Sequence, residues 1–326
     1  MKQNNYILAR LKTVLFSIIL TIFFCQPVYA LVQVNILYDE ANSSSRSFKE
    51  QLVRTFLTYD IHHQTFDLKQ FENNSLSDDT SSNEQIYITL GSKALKTAWE
   101  KLNNKKIFSL LVSQHKIKTI VEISSHINKL SGLYLEQSPQ RQVLLAQQLI
   151  SGIRTIGFLT TPHNAGMLRK QLKNVQSEID FEIKDVSDQY SLAKALSYII
   201  RNSELLITLP EHEIYNRSSL KNILLSSYRN NIPLIGLNKA FVNAGCLAAA
   251  YTTTKQFTKE TAEIFEKITK EEAVPEIHYA KDYKISVNQK VADSLGLYLQ
   301  SEKAILFRMT SNERKLIDHK LRDKNE

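Results

Sequence analysis

Side chains able to hold a small polar molecule gather where the apolar runs of this chain end. "VQVNILY" runs into Tyr38 and Asp39, followed by the polar stretch Asn42–Ser45; "IYITL" runs into Gly91 and Ser92. Further on, "TIGFLTT" leads through Thr160 and Thr161 to His163 and Asn164, "ELLITLP" leads to Glu211 and His212, and "IPLIGL" ends at Asn238. Hydroxyls, amides and carboxylates of this kind recognise a ligand through hydrogen bonds. Free backbone N–H groups at a helix start such as Ser92 suit a carboxylate, and an acid such as Asp39, Glu136 or Glu211 suits an amine. The same residues also have structural roles open to them. Ser92 and Asn164 could be helix caps, Glu211 a carboxylate favoured by a helix dipole, and Tyr38 and Tyr134 strand-end aromatics.

Nothing in the spacing assembles a catalytic set. There is no G-x-x-x-x-G-K-[ST] phosphate loop, no G-x-S-x-G elbow, no H-E-x-x-H and no C-x-x-C. His163, Asp185 and a serine have no arrangement that singles them out as a triad. His62–His63 lacks a third metal ligand nearby. The chain is read as a binding protein with no cofactor and no metal, and an exported enzyme on the same scaffold is the competing class.

These residues need elements to position them. Short strands that are apolar throughout alternate with amphipathic helical stretches. In the first half the runs are 32–38, 86–91, 107–113 and 132–137, with helices over Phe48–Thr58, "SKALKTAWEKL" and "PQRQVLLAQQLI", the last opened by Pro139 at its favoured position. "DEANSSSRS" reads as a loop. In the second half, "TIGFLTT" passes through "PHNAG" as a loop into "MLRKQLKNV"; "DFEIKDV", "ELLITLP" and "IPLIGL" follow, each apart from the last with its helix. Wholly apolar strands followed by helices imply parallel sheets covered on both faces. The fold class is therefore α/β, with two Rossmann-like doubly wound lobes. In such sheets ligands bind outside the carboxyl ends of the strands. Residues 71–85 are polar and turn-rich, a surface loop; "EKAILFRMTSNERKLIDHKLRDKNE" reads as one last helix with a frayed end, with 311–326 a charged tail.

The ends and the composition narrow the class. Lys2, Arg10 and Lys12 precede the apolar run Val14–Cys25, and "QPVYA" supplies small residues at Val28 and Ala30. This reads as a signal peptide over 1–30, cleaved after Ala30, which places the protein in the periplasm. Its removal takes away three positive charges and no negative ones, lowering the net charge from +8 to +5. That charge is spread along the chain without a Lys/Arg tract, so nucleic acid is not an expected partner. Cys246 is then the one remaining cysteine, in an apolar run, and cannot form an intramolecular disulfide. The mature chain is expected to be a monomer.

Several blocks resemble one family. "GLYLEQSPQRQVLLAQQLISGIRTIGFLTTP", "LLITLPEHEIYNRSSLKNILLSSYRNNIPLIGLNKAFVNAGCLAAAYTTTKQFTKETAEIF" and "DYKISVNQKVADSLGL" resemble the ABC-transporter substrate-binding family of the tryptophan/tyrosine type, and "YITLGSKALKTAW" is similar to its first-lobe strand and helix. The resemblance spans roughly 85–310. It implies a type I periplasmic binding fold, in which a three-segment hinge joins the lobes and a ligand is held between them. The implied lobes are 31–133 with 239–274, and 134–238 with 275–310. "IPLIG" becomes the last main strand of the second lobe, "LNKAFVNAG" a hinge crossing, and "CLAAAY" a strand of the first lobe. The other crossings fall near Leu133–Ser138 and Pro275–Ile285. Gln137, Asn238 and Tyr251 then line or border the cleft. The implied function is capture of a small metabolite, an amino acid or similar aromatic or polar compound, by hinge closure and delivery to an ABC permease. A stand-alone sensor that signals to a membrane receptor uses the same parts. Relatives often carry Asp at the position of Glu136, and many have a Ser/Asn-rich loop where this chain has "TTPHNAGM".

Overall fold

The computed structural model describes residues 32–73, 85–122, 128–173, 175, 178–270 and 272–322. The expected signal peptide, its cleavage point, most of the 71–85 stretch and the last four residues lie outside the described residues.

Two six-stranded sheets organise the chain. The first holds β1 (Gln33–Tyr38), β2 (His63–Asp67), β3 (Gln85–Leu90), β4 (Lys106–Val112), β5 (Lys129–Tyr134) and β11 (His278–Tyr279), in the order β11-β5-β4-β3-β1-β2, all parallel. The second holds β6 (Thr155–Thr160), β7 (Asp180–Asp185), β8 (Leu205–Ile207), β9 (Leu234–Ile235), β10 (Ala248–Tyr251) and β12 (Lys284–Val287), in the order β12-β10-β9-β8-β6-β7. Only the β10–β12 pair in it is antiparallel.

Alternation along each strand sends successive side chains to opposite faces. In the first lobe, Val34, Ile36, Ile86, Ile88 and Phe108 meet Phe48, Leu52 and Phe56 of α1 (Ser43–Thr58). On the other face Leu37, Tyr87 and Ile107 meet Ala94, Leu95 and Trp99 of α3 (Ser92–Lys101), beyond the short α2 (Leu68–Asn73). This two-sided burial is why these strands are apolar throughout. In the second lobe, α5 (Pro139–Leu149) and α6 (Pro162–Lys173) cover one face, and α7 (Gln189–Asn202) and α8 (Arg217–Arg229) the other.

The structure corrects several boundaries. "CLAAAY" is not a first-lobe strand: β10 pairs in parallel with β9 at Ala248↔Ile235, and with β12 along its whole length. The "LNKAFVNAG" segment is not a hinge crossing either. It holds the six-residue helix α9 (Lys239–Ala244), which connects two parallel neighbours of one sheet. The chain crosses after Tyr251, and α10 (Thr254–Ile268) then packs on the first lobe, with Phe257 against Phe48 and Phe265 against Phe108. Residues 275–279, expected in the second lobe, return to the first, where β11 pairs with β5. The expected last helix is α12 (Glu302–Arg322), which follows α11 (Gln289–Ser294), runs well into the charged tail, and buries Ile305 and Met309 in the second-lobe core. Two expected loops are helical. Asn42 Oδ1 accepts from Ser45 N at 3.0 Å and starts α1 five residues before Phe48, and "PHNAG" is the first turn of α6.

Gly236 lets α9 fold back on the end of β9. A Cβ there would lie 2.4 Å from Phe241 Cβ and 3.1 Å from Cys246 Sγ. Gly236→Ala is expected to destabilise the protein by about 1–3 kcal/mol, the usual cost of overpacking, read as a lower urea midpoint with an unchanged slope.

Candidate ligand-binding cleft

A cavity of about 180 Å³ lies where the carboxyl ends of the two sheets face each other. Phe158, Met167, Leu168, Ile207 and Phe257 give it apolar walls, and Gln114, Glu136, Gln142, Thr160 and Tyr279 are among its polar ones. It is smaller than the roughly 300–1,000 Å³ of drug-sized pockets.

The hinge beside it is a hydrogen-bonded knot. Gln137 Nε2 donates to Thr252 Oγ1 at 2.6 Å, and that hydroxyl donates to Asp282 O at 2.9 Å. This links the three crossing segments. Arg141, on the first turn of α5, donates to Gln137 Oε1 and, at 2.8 Å, to Ala280 O. Its Nε bonds Glu313 of α12 at 2.6 Å, and its guanidinium stacks 4.1 Å from the centre of the Tyr283 ring.

The end of β4 is bent into the cleft. The ladder with β5 shifts register between Ser109 and Val112, and Leu111 takes a φ of +62°. Such a bulge re-aims the residues after it. Here these are Gln114 and His115, which open α4 (Gln114–Glu122) and line the cavity. Gln114 N donates to Glu136 Oε1 at 2.8 Å. Glu136 Oε2 is shielded from solvent and has no hydrogen-bond partner, although the residue as a whole is only half-buried. Desolvation of this oxygen pushes the Glu136 carboxyl up to about 7, against the hydrogen bond from Gln114, which acts the other way. Gln142 is in the same condition: Nε2 donates to Ala250 O at 3.2 Å, and the buried Oε1 has no partner. Burial lowers the His115 pKa and favours its neutral form, with Nδ1 3.0 Å from Ser113 Oγ.

The two lobes touch across the cleft. Gln171 of α6 donates to Gln114 Oε1 and, at 3.1 Å, to Tyr279 Oη; Tyr279 in turn donates to Gln114 Oε1 at 2.8 Å. The Tyr279 ring leans on Tyr134, 4.9 Å between centroids.

Of the residues named from sequence, Glu136, Gln137, Thr160, Asn164, Glu211 and Asn238 line this cavity, as does Tyr251. Besides Gln137 in the hinge, others of them also have structural work. Glu211, buried, accepts from Thr160 Oγ1 at 2.6 Å and from Thr161 N at 2.7 Å, tying the end of β6 to the loop after β8. Asn164 Nδ2 donates to Thr161 Oγ1 at 2.9 Å. Asn238 Oδ1 caps α9, accepting from Ala240 N at 2.9 Å.

Thr161 and His163 face a neighbouring groove between α7 and α8 instead, and His163 Nε2 lies 3.4 Å from Thr119 Oγ1 of α4. Tyr38, Asp39 and Ser92 do not line the cavity. β3 and β1 stand two and three places from β5, the strand that enters the hinge, so their ends fall outside it. Asp39 pairs with Lys93 at 3.2 Å, and Tyr38 sits under the Lys49 ammonium at 4.6 Å. The cap position of α3 belongs to Gly91, and Ser92 is its first helical residue. His63 Nδ1 lies 2.9 Å from Ile61 O, and no group of three or more potential metal ligands occurs among the described residues.

Sequence reasoning passed over Gln114, His115, Gln142, Gln171 and Tyr279. The first two follow an apolar run and obey the same strand-end rule. Gln142 and Gln171 sit on helix faces and Tyr279 ends the two-residue strand β11, where sequence carries no comparable signal.

Comparison with known proteins agrees with this architecture. The sequence profile of the ABC transporter substrate binding protein family matches residues 108–311, and the chain belongs to that family. Among solved structures it is similar to a substrate-binding protein with adhesive properties from Clostridium difficile, in a ligand-free, open form (TM-score 0.60, 15% identity, 83% of this chain and 96% of that one). It is also similar to an ABC domain in complex with L-Trp from Streptococcus pneumonia (TM-score 0.57, 14% identity, 84% and 97%). A conserved domain protein from Vibrio cholerae gives a TM-score of 0.56 at 14% identity, over 86% of this chain and 98% of that one. These likenesses and the two-sheet topology make the fold that of a type I periplasmic binding protein. No curated protein matches the sequence.

Proposed function

We propose that this protein captures a small metabolite of amino-acid size in the interlobe cavity by hinge closure, in the periplasm, and delivers it to an ABC permease as a monomer. The observation that carries this reading is the cavity itself, which lies at the facing strand ends of two lobes and is lined by Glu136 and Gln142, each with a buried oxygen that lacks a partner. Binding needs no covalent step; a ligand that prefers the closed arrangement shifts the population toward it. The L-Trp in the Streptococcus structure supports a ligand of amino-acid size. The signal-like pattern of residues 1–30 supports export.

A thermal-shift screen of 31–326 against amino acids, primary amines, nucleobases, cofactor precursors and sugars tests the proposal. A ligand at a hundred times its Kd stabilises the folded state by about 2.7 kcal/mol, which moves Tm by a few degrees at this size. A well-folded protein with no shift in any class would count against solute binding.

A further inference from the structure

The polar groups of the cavity are unevenly paired, and the pattern discriminates between ligands. Gln114, Gln137, Asn164 and Glu211 make side-chain hydrogen bonds within the protein. Two acceptors do not: Glu136 Oε2 and Oε1 of Gln142, a residue 7% exposed. Both residues line the cavity. Buried acceptors without donors are costly in the empty protein and are relieved by a ligand that brings N–H groups.

An anion finds the opposite. The lining contains two carboxylates, Glu136 and Glu211, and no lysine or arginine among the described residues. His115 is shifted toward its neutral form by burial. The nearest hinge cation, Arg141, is engaged by Gln137, Ala280 O and Glu313. Two strand-end amides that could receive a carboxylate, Gln114 N and Thr161 N, already donate to Glu136 and Glu211. The apolar walls Phe158, Phe257 and Met167 suit a hydrophobic body.

We infer that the cleft selects an organic ammonium on an apolar or aromatic body without a carboxylate, its N–H donors received by Glu136 and Gln142. This rests on the solute-binding reading and names its substrate class. A free amino acid has the ammonium, but its carboxylate would enter a site with two acids and no free cation. Glu136 is then the specificity-determining residue. The titratable groups around it are Tyr134 and Tyr279, with His115 and Glu211 elsewhere on the cavity wall.

The test is isothermal titration of 31–326 with matched probes: tyramine against tyrosine, tryptamine against tryptophan, and the corresponding aryl propionates that keep only the carboxylate. At least one amine is expected to bind tenfold or more tightly than its amino acid, and the propionates not at all. Amine affinity is expected to rise between pH 5.5 and 8, where the probes stay charged and the Glu136 carboxyl loses its proton. Glu136→Gln, which keeps an acceptor for Gln114 N, is expected to weaken the amine tenfold or more and to flatten that pH profile. An amino acid that binds as tightly as its amine overturns the inference, as does an unchanged amine affinity in folded Glu136→Gln. Binding of neutral or anionic compounds from the wider screen without any amine overturns this inference and leaves the solute-binding reading standing. Silence from every class overturns both.

Discussion

Arg141→Ala is expected to lower the stability of the mature chain by about 2–4 kcal/mol. Removing one partner of a buried ion pair costs about 3–5 kcal/mol; Glu313 keeps 22% side-chain exposure, which softens the loss, against 12% for Arg141. The arginine also holds Gln137 and the Ala280 carbonyl, and covers Tyr283. It therefore joins the first and third hinge segments to the C-terminal helix, and reaches the second through Gln137 and Thr252. Urea unfolding of Arg141→Ala, Glu313→Ala and the double variant measures the coupling. The double variant is expected to lose less than the sum of the single losses by about 0.5 kcal/mol or more, as for residues in one network. Additive effects would mean that α12 is packed on the second lobe without being tied to the hinge.

Glu136→Gln is expected to change stability in a pH-dependent way. The folded carboxyl is held up at about 7 by burial, against an ordinary value of 4.5. Between those values the folded protein keeps a proton that the unfolded chain releases, so folding is favoured at low pH. That advantage is present below 4.5 and is lost as pH rises through 7. At pH 8 the buried carboxylate should cost about 2–3 kcal/mol relative to pH 4.5. Glutamine does not ionise, so the variant should gain that much on the wild type between the two pH values, read from paired urea midpoints. A wild-type-to-variant difference that is the same at pH 4.5 and 8 would show that Glu136 is not held in a desolvated site.

The sequence made the lobes legible because strands buried on two faces leave little choice of residue. "IYITL" and "IFSLLV" can hardly be anything else. It misplaced "CLAAAY" because an alanine-rich run suits either sheet. What decides is a distant partner: β12, whose Ile285 lies opposite Ala250, returns antiparallel and captures β10 in the second lobe. The helix α12 was legible as a helix, but its place in the core was hidden in the same way. Its composition is charged, and only the placement of Ile305, Met309 and Glu313 against α5 and β12 makes it part of the core.

The candidate site divides along the same line. Glu211 and Asn238 follow strand ends and were visible there. Tyr38, Asp39 and Ser92 satisfy the same rule but belong to strands away from the hinge, a matter of sheet order. Gln142 and Gln171 gain meaning only from what helix packing brings opposite them. Cys246 was read as a small buried residue, and it is wholly buried with its thiol pushed up to about 12 by desolvation.

That inert cysteine permits the most direct test of the central claim, that ligand capture in the interlobe cavity is coupled to lobe closure. Spin labels at Lys96→Cys on α3 and Ser218→Cys on α8, both exposed positions in different lobes, report the interlobe distance in 31–326. The distribution should narrow and shift to shorter distance when the compound with the largest thermal shift is added at saturation. At a concentration near its wild-type Kd, the same compound should shift the distribution much less in a Glu136→Gln background, where it binds tenfold or more weakly. A distribution identical with and without a bound ligand would contradict the account.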